Sequence, residues 1–351
     1  MICWGPFGGV IAGAAIRGRE RRRWVRSQES ATLAYDRPHG RRLLRLRNDQ
    51  MTGTSPSDPE LEAMASALEA SGRYRILRKL QPKTTFAAPD GSRTRLGLFV
   101  DVETTGLDPT RHEIIELAMT PFTYALDGRI FEVGEPFHQL RQPADSIPPE
   151  ITAVTGITDE MVAGKAIDPA EVSSFASPAA LVVAHNAAFD RRFLERFCDT
   201  FTTKPWGCSM SQVAWADEGY EGLKLVHLAG AAGFFYEKHR AVHDCLAGVE
   251  LLARPLPKSG TPALAQLLER ARRPTWRIWA EGAPFELKDA LKARGYRWNS
   301  EQGGAPRAWY IDVEEPQREA ELGYLSAEIY GREVDLLSRR IEAHDRFSDR
   351  V

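Results

Sequence analysis

The sequence predicts an α/β protein, a mixed sheet flanked by helices, followed by a small α+β module towards the C-terminus. Three observations carry that expectation. Between residues 96 and 133, apolar segments of strand length follow one another with Gly, Asp and Thr between them. From residue 157 to 252 the pattern changes to helical periodicity around one short apolar run, Leu181–Ala184. Beyond a Pro- and Gly-rich linker, residues 276–311 read as strand, helix and hairpin.

Residues 1–50 precede the first element. Ile2–Ile16 is apolar but too short to span a bilayer, and its positive charges follow it where a secretory signal has them before, so neither anchor nor signal is expected. The run Arg17-Gly-Arg-Glu-Arg-Arg-Arg23 has the charge of a nucleic-acid arm. As a whole the stretch is expected to be disordered, or to be upstream sequence with Met51 as the true start.

Residues 51–95 are expected to form a helical extension. Asp58-Pro59-Glu60 opens a helix, Leu61, Met64, Ala65 and Leu68 mark its apolar face, and Gly72 ends it. Arg73–Leu80 has no decisive pattern, and Pro89-Asp90-Gly91 is a turn into the strand Leu96–Glu103. Glu113–Met119 and Arg129–Val133 are further strands, with Asp127-Gly128 turning the hairpin. Pro143–Pro149 is a loop, and Thr158 caps the helical segment that continues to Val162. Leu181–Ala184 is a buried strand, and Ala187–Phe197 is a helix with Phe189, Phe193 and Phe197 at intervals of four. Helices are expected again at 223–232 and 244–252.

Composition narrows the class. The chain has 351 residues and a formal net charge of -2. That balance hides an asymmetry: residues 1–50 hold 11 Arg, no Lys and 4 acids, which leaves 46 − 11 = 35 bases against 48 − 4 = 44 acids in the remainder. A nucleic-acid role must therefore rest on local basic patches or bound metal rather than overall charge. The cysteines Cys3, Cys198, Cys208 and Cys245 have no CxxC or zinc-finger spacing, which fits packing residues in a reducing cytoplasm.

Asp101 and Glu103 lie two apart on a strand and so present their carboxylates on one side. Paired anions repel each other unless a cation intervenes, and hard oxygen donors suit Mg²⁺ or Mn²⁺. The spacing alone is unspecific, since Asp58-Pro-Glu60 and Asp312-Val-Glu314 repeat it. Downstream residues decide the matter. Phe99-Val-Asp101-Val-Glu103-Thr-Thr-Gly-Leu107, Thr155-Gly-Ile-Thr158, Ala184-His-Asn-Ala-Ala-Phe-Asp190 and His239-Arg-Ala-Val-His-Asp244 resemble, in order, the motifs of the DnaQ-like 3'-5' exonucleases of the DEDDh type.

That resemblance covers roughly residues 96–254 and implies an RNase H-like fold with a mixed five-stranded sheet. It implies that Asp101, Glu103, Asp190 and Asp244 hold two Mg²⁺ or Mn²⁺ ions, and that His239 takes the proton of the attacking water, a task suited to a near-neutral pKa. It further implies that Thr104, Leu107, His185, Asn186 and Phe189 contact the terminal nucleotides, although Leu107 and Phe189 are equally readable as core. The His-x4-Asp spacing recurs at His185/Asp190 and His344/Asp349. Context selects His239, because Asp244 opens an apolar helix, whereas His344 lies in a charged tail and His243 adjoins the acid directly.

The function so implied is metal-dependent hydrolysis of single-stranded DNA from the 3' end to nucleoside 5'-monophosphates, in DNA repair or replication, as in a DNA polymerase III epsilon-like protein. RNA 3' ends and a non-catalytic nucleic-acid-binding role are the alternatives. A place in a polymerase complex is a further reading, although Gln266-Leu-Leu-Glu269 lacks the aromatic residue of a clamp-binding peptide. No membrane partner is expected.

Residues 255–275 read as linker and helix, the latter over Ala263–Arg272, and 276–351 as the accessory module. Its elements are a strand at Trp276–Trp279, a helix at Pro284–Arg294, a hairpin from Tyr296–Trp298 to Ala308–Ile311 around Gly303-Gly304, and a long charged helix from Pro316 to Phe347. Four tryptophans alternate here with Arg277, Lys288, Lys292, Arg294, Arg297 and Arg307. Rings and cations in alternation suit single-stranded nucleic acid, and large aromatics also serve as the core of a small module.

Overall fold

Residues 57–300 and 306–351 are described in a computed structural model; the readings made for residues 1–50 and for the Gly303-Gly304 turn lie outside them. Helix α1 (Asp58–Ala70) is followed by Gly72, whose φ of 68° is the left-handed conformation that ends helices. No residue of α1 is buried, so its expected apolar face has no cover among the described residues. The undecided stretch after it holds β1 (Arg78–Lys79).

The expected meander forms as β2 (Thr94–Thr104), β3 (Ile114–Ala125) and β4 (Ile130–Val133). After it come β5 (Phe137–Leu140), α2 (Pro149–Thr155) and α3 (Asp159–Val162); the Thr158 hydroxyl accepts from the Met161 N–H as the cap of α3. The chain continues through α4 (Pro169–Ala176), β6 (Leu181–Ala184), α5 (Ala187–Phe197), β7 (Trp206–Cys208) and α6 (Leu225–Ala231). Then follow β8 (Phe234–Phe235), which pairs in parallel with β1, α7 (Ala241–Ala253) and α8 (Ala263–Arg272).

The main sheet runs β4-β3-β2-β6-β7, with β5 as a sixth strand paired to β3. The expected count of five is corrected accordingly. Its physical cause is the length of β3: β4 pairs with Phe122–Tyr124 and β5 with Glu116–Met119, so two short strands share one edge. β2 lies antiparallel to β3 and parallel to β6, and β6 parallel to β7.

Successive residues of β2 face opposite sides. Leu98, Val100 and Val102 join the core that includes residues of α4 and α5, whereas Phe99 joins the core built with α7 and α8. Asp101 and Glu103 therefore share the α7 side with Phe99. Helix α7 comes close to the strand because it has Gly248 at the contact, where a Cβ would lie 2.1 Å from Phe99 Cζ. Cys198, Cys208 and Cys245 are buried free thiols within these cores, as packing residues would be.

The C-terminal module comprises β9 (Thr275–Ala280), α9 (Lys288–Ala293), β10 (Arg297–Trp298), β11 (Trp309–Glu314), α10 (Arg318–Tyr324) and β12 (Ser338–Ile341). Its sheet is antiparallel in the order β10-β11-β9-β12. The helix expected from Pro316 to Phe347 is corrected here. After α10 a π-helical turn runs to Tyr330, Gly331 (φ 61°) ends it, and the chain returns as β12 on β9. Leu322, Leu325 and Ile329 do pack into the module core, as their spacing suggested.

Beyond β12 the chain docks on the main domain. The guanidinium of Arg191, a residue with 0% exposure, donates to the carbonyls of Ala343, His344 and Arg346 at 2.5–3.3 Å. No helix among the described residues is long and apolar enough to cross a membrane.

Candidate active site

The last pairing of β6 with β2 is Val183 with Phe99, so β2 runs on past its parallel neighbour. Sites of open α/β sheets sit at such carboxyl ends of strands. There the Val102 N–H donates to Asp190 Oδ1 at 3.1 Å, which anchors α5 to β2. Asp101, Glu103 and Asp244 converge on the other side: one carboxylate oxygen from each lies within 4.8 Å of the others.

Asp244 is held by three donors. Tyr236 Oη lies at 2.8 Å, and the backbone N–H groups of His239 and Arg240 lie at 2.7 and 3.2 Å. The two backbone donors are otherwise unsatisfied groups at the start of α7, so the carboxylate caps its own helix. They also hold the turn at His239, whose φ of 62° is left-handed. The His239 ring is half-buried and has no hydrogen-bond partner among the described residues.

The acids crowd one another. Burial raises Asp101 well above the usual carboxylate range, and the charges of Asp244, Asp190 and Glu103 raise it further. Burial and the charges of Asp244 and Glu116 push Glu103 up to about 8. Asp190 is pushed to about 8, again chiefly by burial, and Asp244 is raised despite its hydrogen bonds. Crowded carboxylates of this kind fit a hard divalent cation, which would replace repulsion by attraction.

Sequence reasoning missed a fifth acid. Glu116 of β3, opposite Glu103, is 1% exposed. Burial raises its pKa, but hydrogen bonds from His138, the Ala241 N–H and Arg240 outweigh this and hold it below the usual value. Its contacts, His138 Nε2 at 2.7 Å, Ala241 N at 3.0 Å and Arg240 Nη2 at 3.0 Å, tie the start of α7 to β3. The available signal was a single acid inside the apolar run Ile114-Ile115-Glu116-Leu117.

The expected nucleotide contacts divide by geometry. Thr104 is 6% exposed and its hydroxyl donates to the Gly106 carbonyl at 2.6 Å, within the turn after β2. Leu107 in the same turn is 70% exposed, so it is not core. His185 Nε2 donates to the Leu223 carbonyl, its Nδ1 accepts from Ser209, and burial lowers its pKa to about 4; both ring nitrogens are engaged in a neutral imidazole. Asn186 precedes α5 with a left-handed φ of 76°. Phe189 is half-buried against Phe193, with ring centroids 5.0 Å apart. His243 donates instead to the Glu237 carbonyl, and the His344 carbonyl accepts from Arg191, so neither stands with the acids.

Residues 98–252, which span the whole constellation, match the protein-family model described as Exonuclease. The chain is 31% identical over 160 residues to DNA polymerase III subunit epsilon of Treponema pallidum, covering 43% of this chain and 72% of that protein. The chain belongs to this exonuclease family. It is also 37% identical over 174 residues to a DNA polymerase III subunit epsilon-like protein of Rhodobacter capsulatus, covering 45% of this chain but 23% of that protein. Against a PolC-type DNA polymerase III of Caldanaerobacter subterraneus the identity is 29%, and the chain spans 15% of the relative's length. Among solved structures, exonuclease X in complex with 5' overhanging duplex DNA aligns with TM-score 0.38 and 28% identity, over 49% of this chain and 98% of that one. An E. coli ExoI–ssDNA complex aligns with TM-score 0.45 and 17% identity, over 63% of each chain.

The acids of this exonuclease domain make stability depend on pH. Glu103 and Asp190 have folded pKa values near 8 against ordinary values of 4.5 and 3.8. Between those limits the folded state binds more protons than the unfolded one, so stability falls as pH rises from about 4 to about 8. Without divalent cation, the Tm is expected to drop between pH 5 and pH 8, and added Mg²⁺ or Mn²⁺ to raise it more at pH 8 than at pH 5. A metal-induced shift of equal size at both values would contradict the crowding.

Proposed function

We propose that this protein is a metal-dependent 3'-5' exonuclease that releases nucleoside 5'-monophosphates from single-stranded DNA ends. The observation that carries the reading is the convergence of Asp101, Glu103 and Asp244, with Asp190 bonded to the same strand, inside a domain of the exonuclease family. Bound by these four carboxylates, two Mg²⁺ or Mn²⁺ ions would supply the positive charge that an anionic phosphodiester needs before water can attack it.

The chain's own residues perform the rest. His239 stands beside the acids without a competing ring partner, and burial lowers its pKa, with Lys238 and Lys224 adding to that effect against Asp244. It is therefore neutral at neutral pH and accepts the proton of the attacking water. The water oxygen joins phosphorus, the bond to the 3'-oxygen of the preceding nucleotide breaks, and that oxygen takes a proton. Tyr236 and the two backbone N–H groups fix Asp244 throughout, and Glu116 fixes the helix on which Asp244 rides. Exposed Leu107 and the rim residues Asn186 and Phe189 suit contact with the terminal bases. The names of the epsilon relatives support DNA as substrate and a polymerase complex as partner.

His239→Gln is expected to lower kcat by about 10²–10⁴-fold while leaving Tm near that of the parent. The parent's rate should fall on the acid side with an apparent pKa below the ordinary 6.5 of histidine; an unchanged acid limb in His239→Gln would remove the base assignment. The reaction itself is tested with DNA and RNA oligonucleotides of one sequence, each labelled at the 3'-terminal nucleotide. Release of label as a 5'-monophosphate, faster from DNA and only with divalent cation, supports the proposal. Internal fragments or a 3'-monophosphate would overturn it.

A further inference from the structure

A second built surface lies in the cleft between the C-terminal module and the catalytic domain, a cavity of about 730 Å³. One wall is the face of β9–β11 opposite the module core. Register places Arg277 beside Asp312, and both Trp279 and Arg297 beside Tyr310, in alternation with the core residues Ile278, Ile311 and Val313. Asp312 accepts from Arg277 Nε at 2.7 Å and from Arg297 Nη2 at 2.8 Å, and both guanidiniums lie over the Tyr310 ring, at 4.4 and 4.8 Å. Trp298, next to Arg297, alternates to the other face, where its ring meets Trp309 edge-on with centroids 5.5 Å apart.

The opposite wall adds Arg270 and Arg273, with Arg192 from α5 and Arg346 from the docked C-terminal segment. Six arginines and three acidic residues, Asp312, Glu314 and Asp349, line the cleft; Arg277 and Arg297 pair with Asp312, Arg192 with Asp349 and Arg273 with Glu269. In residues 51–351, where acids outnumber bases by 44 to 35, such a concentration is a local feature with a local purpose. Arg270 is half-buried and has no ion-pair or hydrogen-bond partner among the described residues. The fully buried Arg191 clamp described above holds the two walls together, so the cleft is preformed.

We propose that this cleft holds the single-stranded nucleic acid on the 5' side of the nucleotide being removed; the inference rests on the exonuclease reading. Guanidiniums take the phosphates. The cleft reaches Ala188 in the first turn of α5, two residues before Asp190 and so nearly on the opposite side of the helix. A strand running from Asp190 to the cleft rounds the N-terminus of α5, so the cleft lies on the 5' side of the nucleotide at the acids.

The test uses the full chain, with Tm measured for every variant to confirm folding. In an Asp101→Asn background, the affinity for a fluorescein-labelled oligothymidylate of roughly 12 nucleotides is measured against salt; Arg270→Gln with Arg297→Gln should weaken it about tenfold and lower the slope of log K against log[salt] by about 1.4. In the active protein, the same arginine changes should shrink the kcat/KM advantage of that strand over a trinucleotide. Unchanged affinity and slope, or equal losses on both lengths, would overturn the proposal. If the parent cleaves nothing, the exonuclease reading falls by itself, and the salt slope still decides whether the cleft binds the strand.

Discussion

Asp101→Asn is expected to lower phosphodiester hydrolysis by at least about 10³-fold and, at the same time, to stabilise the metal-free protein at pH 8. Both effects have one cause. Asp101 lies among Asp244, Asp190 and Glu103, and burial and their charges raise its pKa well above the ordinary range. At pH 8 the folded protein must either hold an extra proton or tolerate charge repulsion, and asparagine removes that cost. The same change takes away the carboxylate at the centre of the group. The deciding measurements are the Tm of both proteins at pH 8 in chelator and their turnover in Mn²⁺. A variant that loses activity only because it unfolds would show a lower Tm, contrary to this expectation.

Gly248→Val should have the largest effect on the fold. A Cβ at this position would lie 2.1, 2.5 and 2.7 Å from three atoms of the Phe99 ring, and Phe99 has 0% exposure on the central strand. Carbon atoms pack at about 3.5–4.0 Å, so α7 would have to retreat by roughly 1.5 Å or Phe99 leave its rotamer. Overpacking of this kind costs about 1–3 kcal/mol or more, a Tm loss of about 2–4 °C for each kcal/mol in a domain of this size. Activity should fall further than stability does, because Asp244 sits one helical turn earlier and would move away from Asp101 and Glu103. Phe99→Leu should restore part of both losses by giving the new side chain room. A Gly248→Val protein with parental Tm and turnover would show that α7 does not need this close approach.

Much of the catalytic domain was legible because chemistry and periodicity coincide there. Asp101, Glu103, Asp190 and Asp244 occur in motif order, and the structure sets them around one strand end; α5 and α8 have the boundaries expected of them. What escaped is what depends on partners distant in sequence. Glu116 looked like any acid on a strand until Arg240 and Ala241, more than a hundred residues later, closed on it. β5 and β7 are short and owe their existence to the open edges of β3 and β6. The charged segment after Pro316 has helical spacing, but Gly331 ends the helix and the free edge of β9 draws Ser338–Ile341 into a short strand. His185 matched a motif, yet its ring nitrogens are occupied by Ser209 and Leu223, which no spacing in the sequence reports.

The most direct measurement is digestion of a 5'-labelled single-stranded DNA oligonucleotide by the full chain with Mg²⁺ or Mn²⁺, beside Asp101→Asn and a chelator control. A ladder that shortens from the 3' end, requires the cation and is lost in the variant is the expected result. A ladder of equal intensity in the variant or in chelator would show that the carboxylate group around Asp101 is not the catalytic centre.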